Sequence, residues 1–399
     1  MAAAPVGPEG PSVPVLAARL RVRRLPALIA EVAQHVLAAL PDHPAVVSVT
    51  AAELREACAV SVEAMLRELA GEGEPAALLE TGRRQAQEGL PVEWLLHSFR
   101  LCGRVIWRGL VAEAARTGDD GVRRLLEDAA EAWDALDRVS TVVAKAYREE
   151  QARLQRTTRR RRELVLSALL DRPPASPSAG DEMSEVLGIP VRGPCVVIVS
   201  TVGNGHPETA LRSAGLVSAW VTQGARDVGL VALPSPDDLP RATATLAPCL
   251  PGAVTVSPLA DGFDEVATAY RLAVLALRTL PGSYQGIARV TDRLPHTLVA
   301  GVPDVAHVLV RQTLGGLLAV RPAEREVYLS TLEALVEADG SFAAAARRLY
   351  CHRNTVLKRA HRIEALTGRR LTSTRALVEL YLAVLAVRMD ADGRYAPRP

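Results

Sequence analysis

The chain has 399 residues, 49% of them hydrophobic and only 4% aromatic, with 47 Lys and Arg against 45 Asp and Glu. That length exceeds what one compact core usually supports, so two or three domains are expected, with cores built from Leu, Val and Ala. A net charge of +2 excludes a uniformly basic protein, so any site for a polyanion has to be local. Five scattered cysteines without a CxxC pair argue against a disulfide framework and against a zinc site. They suit a reducing compartment, and a cytoplasmic location is expected. No secretion signal opens the sequence, and no apolar run approaches the roughly 20 residues of a membrane helix, so no membrane partner is expected.

In chain order, residues 1–24 are rich in Pro, Gly and Ala and read as a disordered tail. Residues 25–155 read as helices only, a helical sensor or interaction domain. "LPALIAEVAQHVLAAL" runs to Pro41. "TAAELREACAVSVEAMLREL" starts from Thr50 as N-cap and ends at Gly71. "PVEWLLHSFRLCGRVIWRGLVAEAAR" opens on Pro91, a good first-turn residue. Its aromatics Trp94, Phe99 and Trp107 are expected in the core, with a ligand pocket as the alternative. His97 is likewise placed in the core and not on a metal. From Val122 to Asp171 there is neither Gly nor Pro, which predicts a long connecting helix over 122–171 that joins domains or pairs with a second chain. Its Arg159–Arg162 run is expected to be solvated, with DNA or an acidic partner as the alternative.

"DRPPASPSAGDE" (171–182) breaks that helix, and the texture changes. Strands at "CVVIVSTV", "DVGLVALP" and "GAVTVSP" alternate with helices at "ETALRSAGLVSAW", "LPRATATLAPCL" and "FDEVATAYRLAVLALRTL", which marks 172–290 as an α/β or α+β domain. "GNGHPE" (203–208) has a G-x-G after a strand but no third glycine, so the dinucleotide fingerprint fails and the segment reads as a loop. Residues 300–390 are helical again, and 391–399 form a tail.

Within that last segment, Gly340 ends one amphipathic helix and Ser341 caps the next, "SFAAAARRL". The alanines 343–346 permit close approach of a neighbour. After the turn "YCH" a third helix begins near Arg353. Its apolar face is Val356, Ala360, Ile363 and Leu366 or Thr367. The opposite face receives Asn354, Thr355, Lys358, His361 and Arg362, while Arg347, Arg353, Arg359 and Arg369 flank it or lie on adjoining elements. Glu364 is the one acid between Arg347 and Arg370. Helix, short turn and a second helix with a basic, amide-bearing face make a helix-turn-helix. The first five residues are expected to face bases, and the four arginines to meet phosphates. A solvated three-helix bundle is the competing reading, and a turn holding Tyr350, Cys351 and His352 in place of the usual Gly is atypical.

"GSFAAAARRLYCHRNTVLKRAHRIEALTGRRL" resembles the C-terminal helix-turn-helix of the PucR-type transcriptional regulators, the purine-catabolism and sugar-diacid group. His352, Arg353, Asn354, Thr355, Arg359, Arg362, Ile363, Glu364, Leu366, Thr367, Gly368 and Leu371 fall on that pattern. Residues 160–290 resemble the degenerate GGDEF-like domain found in such regulators. Residues 25–150, especially "GRRQAQEGLPVEWLLHSFRLCGRVIW", resemble the N-terminal helical domain of RsbT co-antagonist proteins. The resemblance implies a multidomain chain: an all-α N-terminal bundle, a degenerate GGDEF-like α+β middle domain and a C-terminal α-helical helix-turn-helix domain. The hairpin "TQGARDVGLVALP" offers Gly224 and Asp227 but not GG[D/E]EF, so neither catalysis nor a cofactor or metal is expected there.

The expectation is a bacterial, sequence-specific transcription regulator that binds double-stranded DNA as a homodimer or higher homo-oligomer and answers to a small-molecule or protein effector. A signalling scaffold that binds regulatory proteins through the N-terminal helices is the alternative.

Overall fold

In the computed structural model, which describes residues 10–38, 51–201 and 207–391, the chain divides into two compact units, Met1–Arg159 and Arg160–Pro399. The first is helical: α1 (Val13–Ala38), α2 (Ala51–Leu69), α3 (Pro75–Gln87), α4 (Val92–Ala115), α5 (Asp119–Glu127) and the beginning of α6 (Ala129–Asp171). Residues 10–24 depart from the tail expected over 1–24. The Pro and Gly of that stretch crowd its first half, whereas Val13, Leu16, Ala17 and Leu20 recur at helical spacing and are buried. Helix α1 packs closely on α4, where a Cβ at Gly109 would stand 2.9 Å from Leu20 Cδ2. The single helix expected over 122–171 is interrupted at Asp128, between α5 and α6.

Phe99, Leu95 and Ile106 are buried in the core of this unit, while Trp94 and Trp107 pack half-buried against it. Trp107 meets Trp133 with ring centroids 5.7 Å apart. His97, expected in the core, is exposed on α4; the apolar stripe of that helix runs through Leu95, Phe99 and Cys102, which turns position 97 outward.

In the second unit, α6 continues to Asp171 and buries Leu166, Leu169 and Leu170 in the core beneath a sheet. Arg162, expected to be solvated, donates to the carbonyls of Leu187 and Ser218 at 3.0 and 3.3 Å. A long flexible cation at the edge of a domain reaches the free carbonyls of neighbouring elements. Helix α7 (Pro177–Leu187) starts inside the expected linker, with Ser176 as N-cap accepting from Ala179 N at 3.2 Å.

The mixed sheet comprises β1 (Pro194–Ser200), β2 (Val217–Gln223), β3 (Arg226–Ala232), β4 (Ala253–Val256), β5 (Ala260–Asp261) and β6 (Gly286–Arg289) in the order β2-β3-β1-β4-β6, with β5 beside β1. Strand β4 runs parallel to β6, and the other pairings are antiparallel. Helices α8 (Pro207–Ser213), α9 (Leu239–Leu246) and α10 (Phe263–Arg278) cover it. Cys195, Val197 and Val199 of β1 enter one core and Val196 and Ile198 the other, the period-two pattern of a strand buried on both faces.

The helix expected at "ETALRSAGLVSAW" stops at Ser213. Gly215 turns the chain at φ 74°, and the β-rich "VSAWVTQ" pairs along its whole length with β3. On that ladder Trp220 covers Gly229, an aromatic filling the space its cross-strand partner leaves. The stretch 202–206, with most of the "GNGHPE" loop, lies outside the described residues.

The remaining helices are α11 (Leu294–Gly301), α12 (Pro303–Leu318), α13 (Pro322–Glu337), α14 (Phe342–Arg348), α15 (Arg353–Thr367) and α16 (Thr374–Ala391). Leu314, Leu317, Leu329, Leu332, Val356, Ile363, Leu380 and Val384 form their shared core. Arg388 fastens α16 to α13, with Nε 2.7 Å from Glu333 and Nη1 2.6 Å from Glu326. Both carboxylates raise the guanidinium pKa, the Glu333 hydrogen bond most.

Candidate nucleic-acid interface

The basic surface rests on three helices whose ends the sequence specifies closely. Ser341 Oγ accepts from Ala344 N at 3.3 Å and starts α14. Ala345 and Ala346 are buried, small enough to let α14 lie against α13 and α15. Helix α15 begins at His352, whose Nδ1 accepts from Asn354 N at 3.2 Å. It ends at Gly368, held at φ 67° with its N–H donating to Glu364 O at 2.8 Å, a glycine cap of the left-handed type.

Glu364, the lone acid of this stretch, has a structural role. Its Oε1 accepts from Leu371 N at 2.8 Å and so folds the chain back after the helix. Thr367 Oγ1 donates to Ile363 O at 2.8 Å and accepts from Arg369 N at 3.4 Å. The motif "HRNTVLKRAHRIEALTGRRL" thus separates into residues that build the helix ends and core and residues that leave the fold. His352, Ile363, Glu364, Thr367, Gly368 and Leu371 belong to the first group.

The second group lies outward. Val356, Ala360 and Ile363 are buried, whereas Asn354, Lys358, His361 and Arg362 are exposed and Thr355 is half-exposed. All five expected base-facing residues therefore share the outer side of α15. The Tyr328 hydroxyl on α13 donates to Glu324 at 2.6 Å, and Arg362 is a nearby positive charge. His361 Nδ1 lies 3.4 Å from Glu364 Oε2.

Of the residues expected at phosphates, Arg347 and Arg353 are exposed and Arg359 is half-exposed. Arg369 differs from that expectation: its guanidinium binds Glu379, which also holds Arg375 at 3.0 Å. Glu379 lies one helix further along the chain, and only the folding of α16 onto α15 brings it there. Arg348 is engaged by Glu337 in the same way. Two residues that sequence reasoning passed over lie on this surface: Ala365, exposed in the middle of the outer face of α15, and Tyr350, 97% exposed in the turn. The signal for Tyr350 was present as an aromatic where a turn glycine is usual.

The second site considered, the β2–β3 hairpin, is internally satisfied. Thr222 Oγ1 donates to Asp227 at 2.7 Å, and Tyr270 Oη donates to Gln223 Oε1 at 2.7 Å. Among the described residues no three His, Cys, Asp or Glu side chains are grouped to hold a metal. Nor is any described helix long and apolar enough to cross a membrane. Helix α16, whose sequence is almost continuously apolar, is central to the bundle: Leu380, Ala383, Val384, Leu385, Ala386 and Met389 are all buried.

A small helical domain that holds a capped, cationic helix with its polar face open to solvent is a helix-turn-helix of the kind that enters a DNA groove. Residues 328–386 match the PucR C-terminal helix-turn-helix domain, residues 172–279 the GGDEF-like domain, and residues 26–162 the N-terminal domain of the RsbT co-antagonist protein RsbRD. From the N-terminus the order is therefore RsbRD-type helical domain, GGDEF-like domain and helix-turn-helix, an arrangement that matches the PucR-type architecture. No curated protein matches it. Among solved structures, the crystal structure of a regulator of polyketide synthase expression from Bifidobacterium adolescentis is 18% identical, over 58% of this chain and 97% of that chain, with a TM-score of 0.32.

Proposed function

We propose that the protein is a transcription regulator that reads a specific DNA sequence with α15. One observation carries this: the five polar side chains on the outer face of α15 are turned away from a fully formed core, between exposed arginines. In this reading Asn354, Thr355, Lys358, His361 and Arg362 face base edges, where amide and guanidinium groups discriminate between base pairs. Arg347, Arg353 and Arg359 neutralise phosphates and fix register. Arg369 contributes less, because Glu379 already offsets its charge.

A salt titration of duplex binding by the full chain tests the reading. Neutralising several phosphates makes affinity fall roughly tenfold to a thousandfold between about 50 and 200 mM salt. A flat response sinks it. Asn354→Ala relaxes sequence preference, whereas Arg347→Ala weakens all duplexes alike.

A single domain of this size contacts few base pairs, and pairing of two copies is the usual remedy. We place that pairing on α11 and α12. Leu298, Val302, Val305 and Val308 are all more than 40% exposed within eleven residues, an apolar concentration typical of an interface. Asp304 and Arg311, both exposed, lie seven residues apart on one edge of the Val305–Val308 stripe. A second copy running antiparallel sets Asp304 of each against Arg311 of the other. Sedimentation of Val305→Glu as a monomer supports this face, and an unchanged dimer rejects it. An effector, small molecule or protein, acts on the helical unit in this scheme, where Trp133 is half-exposed beside Trp107.

A further inference from the structure

Helix α14 ends in a Schellman turn. Tyr350 N donates to Arg347 O at 3.3 Å and Cys351 N to Ala346 O at 3.0 Å, the paired bonds of that motif. The motif requires a left-handed residue at its pivot, and Tyr350 occupies it with φ 50°. Glycine is the usual choice, because a side chain there crowds the following carbonyl. The turn after α13 has the same pair of bonds, Asp339 N to Val336 O and Gly340 N to Leu335 O. Its pivot is Asp339 at φ 50°, a residue type that tolerates this region.

Among the described residues these are the two non-glycine positions with positive φ. Tyrosine gains nothing from the fold in return. Its side chain is 97% exposed, the highest value among the exposed large hydrophobic residues, and no hydrogen bond of its hydroxyl is found among the described residues. A bulky residue held in a sparsely populated conformation without packing to offset it points to a role outside the fold. Its neighbours define that role: exposed Arg347 lies in the last turn of α14, exposed Arg353 opens α15, and the positive dipole end of that helix follows within three residues. These are the groups that fix a helix-turn-helix on the sugar–phosphate backbone.

We propose that Tyr350 is a DNA-positioning residue, its phenol hydroxyl donating to a backbone phosphate oxygen next to the N-terminus of α15. This rests on the DNA-binding reading given above. It goes beyond that reading by assigning the turn, and not only the helix, to the interface.

Because a phosphate contact is blind to sequence, a random-sequence duplex at about 50 mM salt is a sufficient probe for the full-length chain. Tyr350→Gly relieves the backbone, so it raises the unfolding midpoint by a few degrees while weakening duplex binding about tenfold, the scale of one hydrogen bond to a charged group. Tyr350→Phe keeps the strain and the ring, leaves the midpoint unchanged, and loses the same affinity. Wild-type binding by Tyr350→Phe overturns the hydroxyl contact, and wild-type binding by both variants overturns any role for the turn. Arg353→Ala is the reference. If it loses affinity while both tyrosine variants keep it, the DNA-binding reading stands and this inference alone fails. If the unmodified chain ignores the duplex, both fail.

Discussion

Helix α15 and the β2–β3 hairpin are the two places where family motifs promise chemistry, and they have kept different things. On α15 the residues needed for the fold and those available to a ligand are separate sets. His352, Glu364, Thr367 and Gly368 are occupied with helix ends, which leaves Asn354 and Lys358 with exposed side chains. In the hairpin the remaining polar groups are spent internally, Asp227 on Thr222 and Gln223 on Tyr270. The hairpin pairs in full register but carries no GG[D/E]EF signature. A polar residue already satisfied by its neighbours has less left for a ligand, and in that respect the two elements differ.

The largest expected effect breaks the scaffold on which the comparison depends. A Cβ at Gly316 of α12 would stand 2.2 Å from Leu366 O, a clash with backbone that no rotamer relieves. Gly316→Ala should cost about 2 kcal/mol even after the gain in helix propensity, seen as a lower unfolding midpoint together with lost duplex binding. Next, removing Arg347, Arg353 and Arg359 together should reduce duplex affinity about a hundredfold or more and lower the salt slope by about 3, while leaving the midpoint nearly unchanged. A stability loss as large as the binding loss would show that these cations serve the fold.

The hairpin counterpart is smaller. Asp227→Ala should cost about 0.5–1 kcal/mol by deleting one cross-strand hydrogen bond and leave DNA affinity as it was. Incubation of the wild type with GTP and Mg²⁺ should yield no cyclic product; turnover abolished by Asp227→Ala would reverse the comparison.

The smallest effect is a pH dependence at α11. Burial, with Arg293 adding to it, lowers the His296 pKa to about 4, and its Nδ1 is buried without a hydrogen-bond partner. The unfolded chain therefore binds the proton more readily. The stability tied to neutral His296 is present above about pH 6.5 and is lost as pH falls toward 4. A modest drop of the midpoint across that window is expected, flattened by His296→Gln.

Much of this was legible in advance. The period of Val356, Ala360 and Ile363 already specifies the outward side of α15, because a helix has one repeat and a buried face must follow it. Gly340 and Ser341 announced helix ends by the conformations they favour. The helix at 13–24 is hard to read from composition, because the Pro and Gly before it mask the stripe of Val13, Leu16, Ala17 and Leu20 that the fold buries. The strand at 217–223 was missed because "LVSAWVTQ" is short, and a short apolar run reads equally well as helix or strand until a partner pairs with it.

The sequence by itself determined where α15 begins, which of its sides is apolar, and that eight cations and one acid are gathered between Arg347 and Arg370. Those properties follow from local spacing and from side-chain chemistry, both of which are written in the chain. Only the tertiary structure decided which of those charges are spent. Glu337 and Glu379 reach Arg348 and Arg369 across ten or more residues, and the left-handed pivot at Tyr350 is set by a turn that two packed helices close. Pairing and strain of this kind depend on distances that arise when the helices meet, and no local pattern encodes them.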